Sequence, residues 1–185
     1  MTRQLIVCDV ESTGLTPGRH VPIEIAAINT TTGEELYIAP YVEPSAWGRA
    51  DPAALAINRY FERRVPDRIE IAPDELVKAN TLAEWLSGNT LAGANPRFDH
   101  AMLDLFFARY EVDSWEPHHR LADLSAYAAG VLGIDPAELP GLSDVARIVG
   151  IGDAPDHTAM TDARVTWQCF KALAEIRAGV RRAEA

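Results

Sequence analysis

The chain has 185 residues, 48% hydrophobic and 24% charged, with a formal net charge of −10 at pH 7. That size suits one compact domain over 1–185, and the acidic surplus argues against a general nucleic-acid coat but not against an enzyme that grips a strand end. Apolar runs such as Leu5 to Cys8 are far too short to span a bilayer, no secretory signal precedes Asp9, and Cys8 and Cys169 suggest buried reduced thiols, so a cytoplasmic protein with no membrane partner is expected.

Gln4 to Val10 reads as a buried strand rich in branched residues, entering a turn at Ser12-Thr13-Gly14. Pro22 to Asn29 and Glu35 to Ala39 read as the next two strands, joined by the turn Thr30-Thr31-Thr32-Gly33. Prolines and a glycine break regularity from Pro40 to Pro52. Pro52 to Arg64 has helical periodicity, with Leu55, Ile57 and Phe61 among basic residues, and Phe61 is expected in the core. Thr81 and Glu84 form a capping-box pattern before Trp85 and Leu86, and Gly88 ends that helix.

Thr90 to Ala94 is a short fourth strand. Asn95 is expected to cap the next helix with Pro96 at its first position, where a missing amide hydrogen costs nothing. Phe98, Met102, Leu105 and Arg109 mark one stripe of that helix, with Asp99 near its start. Arg120 to Leu124 reads as a fifth strand leading into a helix from Ser125 to Leu132, and Ser143 to Val149 as a helix ended by Gly150. Ile151 to Asp156 is a Gly- and Pro-punctuated loop carrying His157. The last helix runs from about Thr161 to Arg177, with Asp162, Val165, Cys169, Ala172 and Ile176 on its inner stripe. Short turns predict an antiparallel meander of the first three strands, with a helical crossover to the fourth. The fold class is therefore α/β, with a mixed sheet.

Four carboxylates and one histidine stand out in this frame. Asp9 and Glu11 alternate by two, so in a strand both point to one face. Asp99 opens one helix, Asp162 opens another, and His157 lies five residues before Asp162. Singly, each has a bland reading: a first-turn acid favoured by the helix dipole, or a loop histidine. Together, every acid sits at a strand end or helix start, in an order that lets them converge. Clustered acids repel unless cations neutralise them, and hard oxygen ligands favour Mg²⁺ or Mn²⁺. Two such cations about 3.5–4 Å apart can stabilise the attacking and leaving oxygens of a phosphodiester displacement. In that scheme Asp9 bridges the two, Glu11 and Asp162 complete the nucleophile side, and Asp99 holds the leaving-group side. His157 supplies a group able to take a proton near neutral pH.

The motifs Val7-Cys8-Asp9-Val10-Glu11-Ser12-Thr13-Gly14-Leu15, Ala94-Asn95-Pro96-Arg97-Phe98-Asp99 and His157-Thr158-Ala159-Met160-Thr161-Asp162-Ala163 resemble those of the DEDD exonuclease superfamily, in its histidine-bearing branch. That branch includes the proofreading subunit of bacterial replicative polymerase, ribonuclease T and oligoribonuclease. Ile23-Glu24-Ile25-Ala26-Ala27-Ile28 resembles the hydrophobic second strand that accompanies the first motif, and the likeness runs from Ile6 to about Gln168.

The resemblance implies a ribonuclease-H-like fold with a five-stranded mixed sheet flanked by helices. It also implies two divalent metals and 3′→5′ release of nucleoside monophosphates. Thr13 and Leu15 would contact the terminal nucleotide, Leu15 against its base, with Ser12, Gly14, Asn95 and Phe98 nearby. Ala56-Ile57-Asn58-Arg59-Tyr60-Phe61 loosely resembles the family's substrate-side segment, which adds Asn58 and Arg59 as candidate contacts. Arg59, Arg63, Arg64 and Arg68 beside Tyr60 and Phe61 have the composition of single-strand binding, or of a solvated helix face. Trp47 and Trp115 are expected to pack rather than to stack on bases.

The expected partner is the 3′ end of single-stranded DNA or RNA, with DNA placed first. An RNA-trimming or oligoribonuclease-type enzyme is the alternative, a polymerase is a candidate partner, and a non-catalytic binding module is the rival from another class. No Gly-x-Gly-x-x-Gly follows the first strand, so dinucleotide binding has no support.

Overall fold

Leu5–Ser12 forms β1, the middle strand of the sheet, because Ile6, Val7 and Cys8 are branched or small and buried on both faces. The structure is a computed structural model and describes residues 2–69, 72–112, 115–152 and 154–180. Strands β2 (Pro22–Asn29) and β3 (Glu35–Ile38) complete an antiparallel meander with β1. Strands β4 (Thr90–Gly93) and β5 (Ala122–Asp123) add in parallel, giving the order β3-β2-β1-β4-β5. This is the mixed five-stranded α/β sheet expected, and its strand bounds lie within two residues of expectation. Among the described residues no helix is long and apolar enough to cross a membrane.

Alternation along β1 assigns its two faces. Ile6, Cys8 and Val10 pack with Ile25 and Ala27 of β2 against α3 (Ala72–Leu86) and α4 (Pro96–Arg109), through Leu82, Leu86, Met102, Leu103, Phe106 and Phe107. Val7 packs with Ala26, Ile28 and Ala92 against Ala159 and Ala163 of α7 (Ala159–Arg177). Helices α5 (Leu124–Leu132) and α6 (Leu142–Ile148) lie on the outer side of α7, around Val145, Val149, Val165, Cys169 and Leu173. Cys8 and Cys169 are buried thiols. By the same alternation, Asp9 and Glu11 share the α7 face with Val7.

Several local expectations give way to tertiary structure. Pro44–Trp47 forms a short helix, α1, inside the stretch expected to be irregular. The helix expected from Pro52 to Arg64 stops at Asn58 (α2, Pro52–Asn58), because Arg59 turns left-handed at φ 52° and Arg64 at φ 56°, before a 3₁₀ turn at Val65–Arg68. In consequence Tyr60, not Phe61, is the buried ring; it packs 5.3 Å from Trp47, while Phe61 is 56% exposed. Thr81 is no cap: α3 already spans it, and its hydroxyl donates back to the Val77 carbonyl at 3.0 Å. Asn95 occupies the N-cap position of α4 without a side-chain capping bond. The buried stripe of α4 is Asp99, Met102, Leu103, Phe106 and Phe107; Arg109 instead lies over Tyr41 and Tyr110.

Candidate active site

Three chain segments meet at the carboxyl end of β1. β1 supplies Asp9 and Glu11, the start of α4 supplies Asp99, and the start of α7 with the loop before it supplies Asp162 and His157. Asp99 is locked in place: its Oδ1 accepts the Val10 amide at 2.9 Å. Gly93, at the end of β4, permits this approach, since a Cβ there would lie 3.1 Å from Asp99 Oδ2 and 3.1 Å from the Cys8 carbonyl. Asp162 Oδ1 accepts the Asp156 amide at 3.0 Å, which ties the helix start to the loop bearing His157. His157 itself is exposed and left-handed, at φ 57°, an unusual backbone state held by its surroundings. One ligand atom each from Glu11, His157 and Asp162 lie within 4.8 Å of one another.

The electrostatics of the cluster are unfavourable as they stand. Burial, then repulsion from Asp99, Glu11, Asp162 and Glu24, holds Asp9 well above the usual carboxylate range. Glu11 is pushed up to about 8 by burial and by Asp162 and Glu24, with Arg63 opposing. Burial pushes Asp99 up to about 7 against the stabilising amide of Val10, and it also raises Asp162. Among the described residues none of these four carboxylates has a Lys or Arg ion-pair partner. Converging hard oxygen donors, buried and uncompensated, fit divalent cations.

Beside the carboxylates lies a cleft of about 300 Å³ whose lining includes Glu11, Leu15, Ile57, Asn58, Phe98 and His157. Leu15 and Ile57 stand exposed at 79% and 55%, as apolar walls suited to a base. The turn behind Leu15 is rigid. The Ser12 hydroxyl donates to the Gly14 carbonyl at 2.7 Å, and the buried Thr13 hydroxyl accepts the Val21 amide at 3.0 Å. Gly14 has φ 152°, and a Cβ there would lie 2.6 Å from the buried His20 ring. Helix α2 is pinned at both ends: the Asp51 amide donates to the Thr13 carbonyl at 2.7 Å, and Asn58 Nδ2 donates to the Ser12 carbonyl at 3.3 Å.

Of the sequence-selected contacts, Ser12, Leu15, Asn58 and Phe98 line the cleft. Thr13 and Gly14 form its backing, while Arg59 and Asn95 are exposed and lie outside its lining. Sequence reasoning did not single out Glu24 or Ile57 as site residues, and it offered Arg63 as a strand contact or a solvated side chain rather than as the partner of a buried acid. Glu24 sits on β2 directly opposite Glu11, 1% exposed, and is held by a forked ion pair with Arg63 and by the Tyr37 hydroxyl at 2.6 Å. A lone acid in an otherwise apolar strand was the available signal.

A mixed sheet of this order with carboxylates gathered at the end of its middle strand is the ribonuclease-H-like arrangement of α/β nucleases. The chain belongs to the Exonuclease (RNase T) family, whose sequence model matches residues 6–170, and so to the DEDD 3′→5′ exonuclease superfamily. Its fold is similar to that of product-bound exonuclease I, with TM-score 0.68 and 20% identity over 97% of this chain and 45% of that one. Exonuclease I of E. coli in complex with a dT13 oligonucleotide is similar at TM-score 0.64 and 20% identity, over 96% of this chain and 42% of that one. The chain thus spans less than half the length of the exonuclease I chains it matches. Among curated proteins no sequence matches it.

Proposed function

We propose that this chain is a two-metal 3′→5′ exonuclease that removes nucleoside monophosphates from the 3′ end of a single strand, DNA ahead of RNA. The convergence of Glu11, His157 and Asp162 beside an apolar cleft carries this reading. Asp9, Glu11, Asp99 and Asp162 would hold Mg²⁺ or Mn²⁺, which when bound would polarise the scissile phosphate and acidify the attacking water. Leu15, Ile57 and Phe98 seat the terminal base and place its 5′ phosphate against the carboxylates. His157, exposed on its loop, takes the proton of the water as its oxygen attacks phosphorus and the bond to the upstream 3′ oxygen breaks. The preference for DNA is supported by the oligodeoxynucleotides held in the similar exonuclease I structures. We place the activity in one domain over 1–185 and, from the reduced buried cysteines, in the cytoplasm.

Matched DNA and RNA oligomers labelled at the 5′ end, with and without Mg²⁺ or Mn²⁺, test the reading. Metal-dependent ladders shortening from the 3′ end, faster on DNA, are expected. Faster loss of RNA would assign the enzyme to RNA trimming. Undiminished hydrolysis in saturating chelator would contradict the two-metal assignment.

A further inference from the structure

A protein with net charge −10 repels a polyanion over most of its surface, so unpaired cations that gather in one place are informative. They gather along the sheet edge beyond β5. There α4 and the segment 115–121 enclose a groove of about 340 Å³ lined by Arg97, His100, Ala101, His118, His119 and Leu121. Among the described residues Arg97, Arg120 and Arg3 have no ion-pair partner, a property they share with Arg19, Arg49, Arg59 and Arg109 elsewhere; what sets them apart is that three histidines line the same groove. Desolvation first, then the charges of Arg3, His119 and Arg120, lower the pKa of His118, while its hydrogen bond from the Arg120 amide opposes them. Asp104, the acid on the α4 side, is already met by His100 Nδ1 at 3.2 Å.

The groove and the active-site cleft meet the same helix, α4, at neighbouring residues. Phe98 lines the cleft while Arg97 and His100, on the same turn of α4, line the groove. At the far end, the His118 amide donates to the Asn89 carbonyl just before β4, and Arg3 lies two residues before β1. The carboxylates sit at the opposite, carboxyl end of β1. The groove therefore runs the length of β4, at about 3.3 Å per residue, away from the cleft. His118 Nδ1 accepts the Arg120 amide at 3.2 Å, which leaves the proton of the neutral ring on Nε2 as a donor. The three groove histidines do not form a metal centre, because among the described residues the one cluster at ligand spacing is Glu11, His157 and Asp162.

We propose that this groove carries the phosphodiester backbone of the single strand upstream of the terminal nucleotide, with Arg97 nearest the scissile bond and His118, His119, Arg120 and Arg3 further along. The proposal rests on the exonuclease reading and specifies where the rest of its substrate lies. Guanidinium forks and imidazole N–H groups suit phosphate oxygens without selecting sequence.

The test compares a dinucleotide, too short to reach the groove, with an oligo(dT) dodecamer, in wild type, Arg97→Ala and the double variant His118→Gln/Arg120→Ala. Anisotropy of a fluorescent dodecamer reads binding independently of turnover. The expected result is a higher KM and weaker binding on the dodecamer alone. Removing one cation from a phosphate should also lower the slope of log affinity against log salt by roughly 0.7. Unchanged dodecamer binding and salt slope in both variants would overturn the groove assignment, as would an equal loss on the dinucleotide. Wild-type protein that binds the dodecamer with the predicted salt slope but cuts neither substrate would overturn the exonuclease reading instead and leave the groove standing.

Discussion

Glu11 is held at about 8 by burial and by the acids that face it, and Asp99 at about 7 by burial against the hydrogen bond from the Val10 amide. Raised values mean that the metal-free folded chain keeps protons that the unfolded chain releases above about 4.5. Its stability should therefore be greatest at the acid end of this window and fall as pH rises from about 4.5 to about 8. On the proposed two-metal reading, divalent cations would bind the ionised carboxylates, so saturating Mg²⁺ should flatten that decline. Denaturant unfolding in chelator and in Mg²⁺ across this range checks it; stability that climbs with pH in chelator would contradict the electrostatics described. His157 belongs to a different class, exposed and off the helix. If it is the general base, His157→Ala should lower turnover by about 10²–10⁴-fold with little change in metal affinity by calorimetry. Abolished metal binding would make it a ligand. Glu24 and Arg63 form a third case. Arg63→Ala leaves a buried carboxylate without its cation, and a loss of about 3–5 kcal/mol in stability is expected.

Among the elements, strands were more legible than helix ends. β1 and β2 announce themselves through branched residues, and the two-residue period of a strand is enough to put Asp9 and Glu11 on one face. The start of α3 was hidden because Thr-x-x-Glu at Thr81 imitates a cap, whereas the stripe Ala79, Leu82, Ala83 and Leu86 continues through it. The end of α2 was hidden for another reason: two arginines, not glycines, take the left-handed turns. That early stop is what makes a wall of the cleft, since Asn58 then reaches the Ser12 carbonyl and Arg63 Nε reaches the Asn58 carbonyl at 2.7 Å. The Glu24–Arg63 pairing spans 39 positions and leaves no local trace. Gly93→Ala addresses the junction of β4 and α4. Its methyl would press on the Asp99 carboxylate and the Cys8 carbonyl, so activity should drop while the unfolding midpoint shifts modestly. Full activity in Gly93→Ala would show that the position of Asp99 is less constrained than the packing implies.

At the scale of the molecule, α4 on one face of the sheet and α7 on the other deliver acids from separate segments to the end of β1. No single segment could hold four carboxylates this close, since folding must supply the energy that opposes their repulsion. This explains why the site was readable as three motifs while its depth, the Ile57 side of its apolar wall and its edge groove were not: those depend on packing between segments distant in sequence. On the proposed reading the cluster removes nucleotides from a free 3′ end. Incubation of a 5′-labelled single-stranded oligomer and a covalently closed single-stranded circle of the same sequence with Mg²⁺, for wild type and Asp9→Ala, tests it most directly. A ladder of stepwise shortened linear products, an intact circle and no products from Asp9→Ala are expected; cutting of the circle at a comparable rate, or a ladder undiminished in Asp9→Ala, would rule out a 3′-end exonuclease built on these carboxylates.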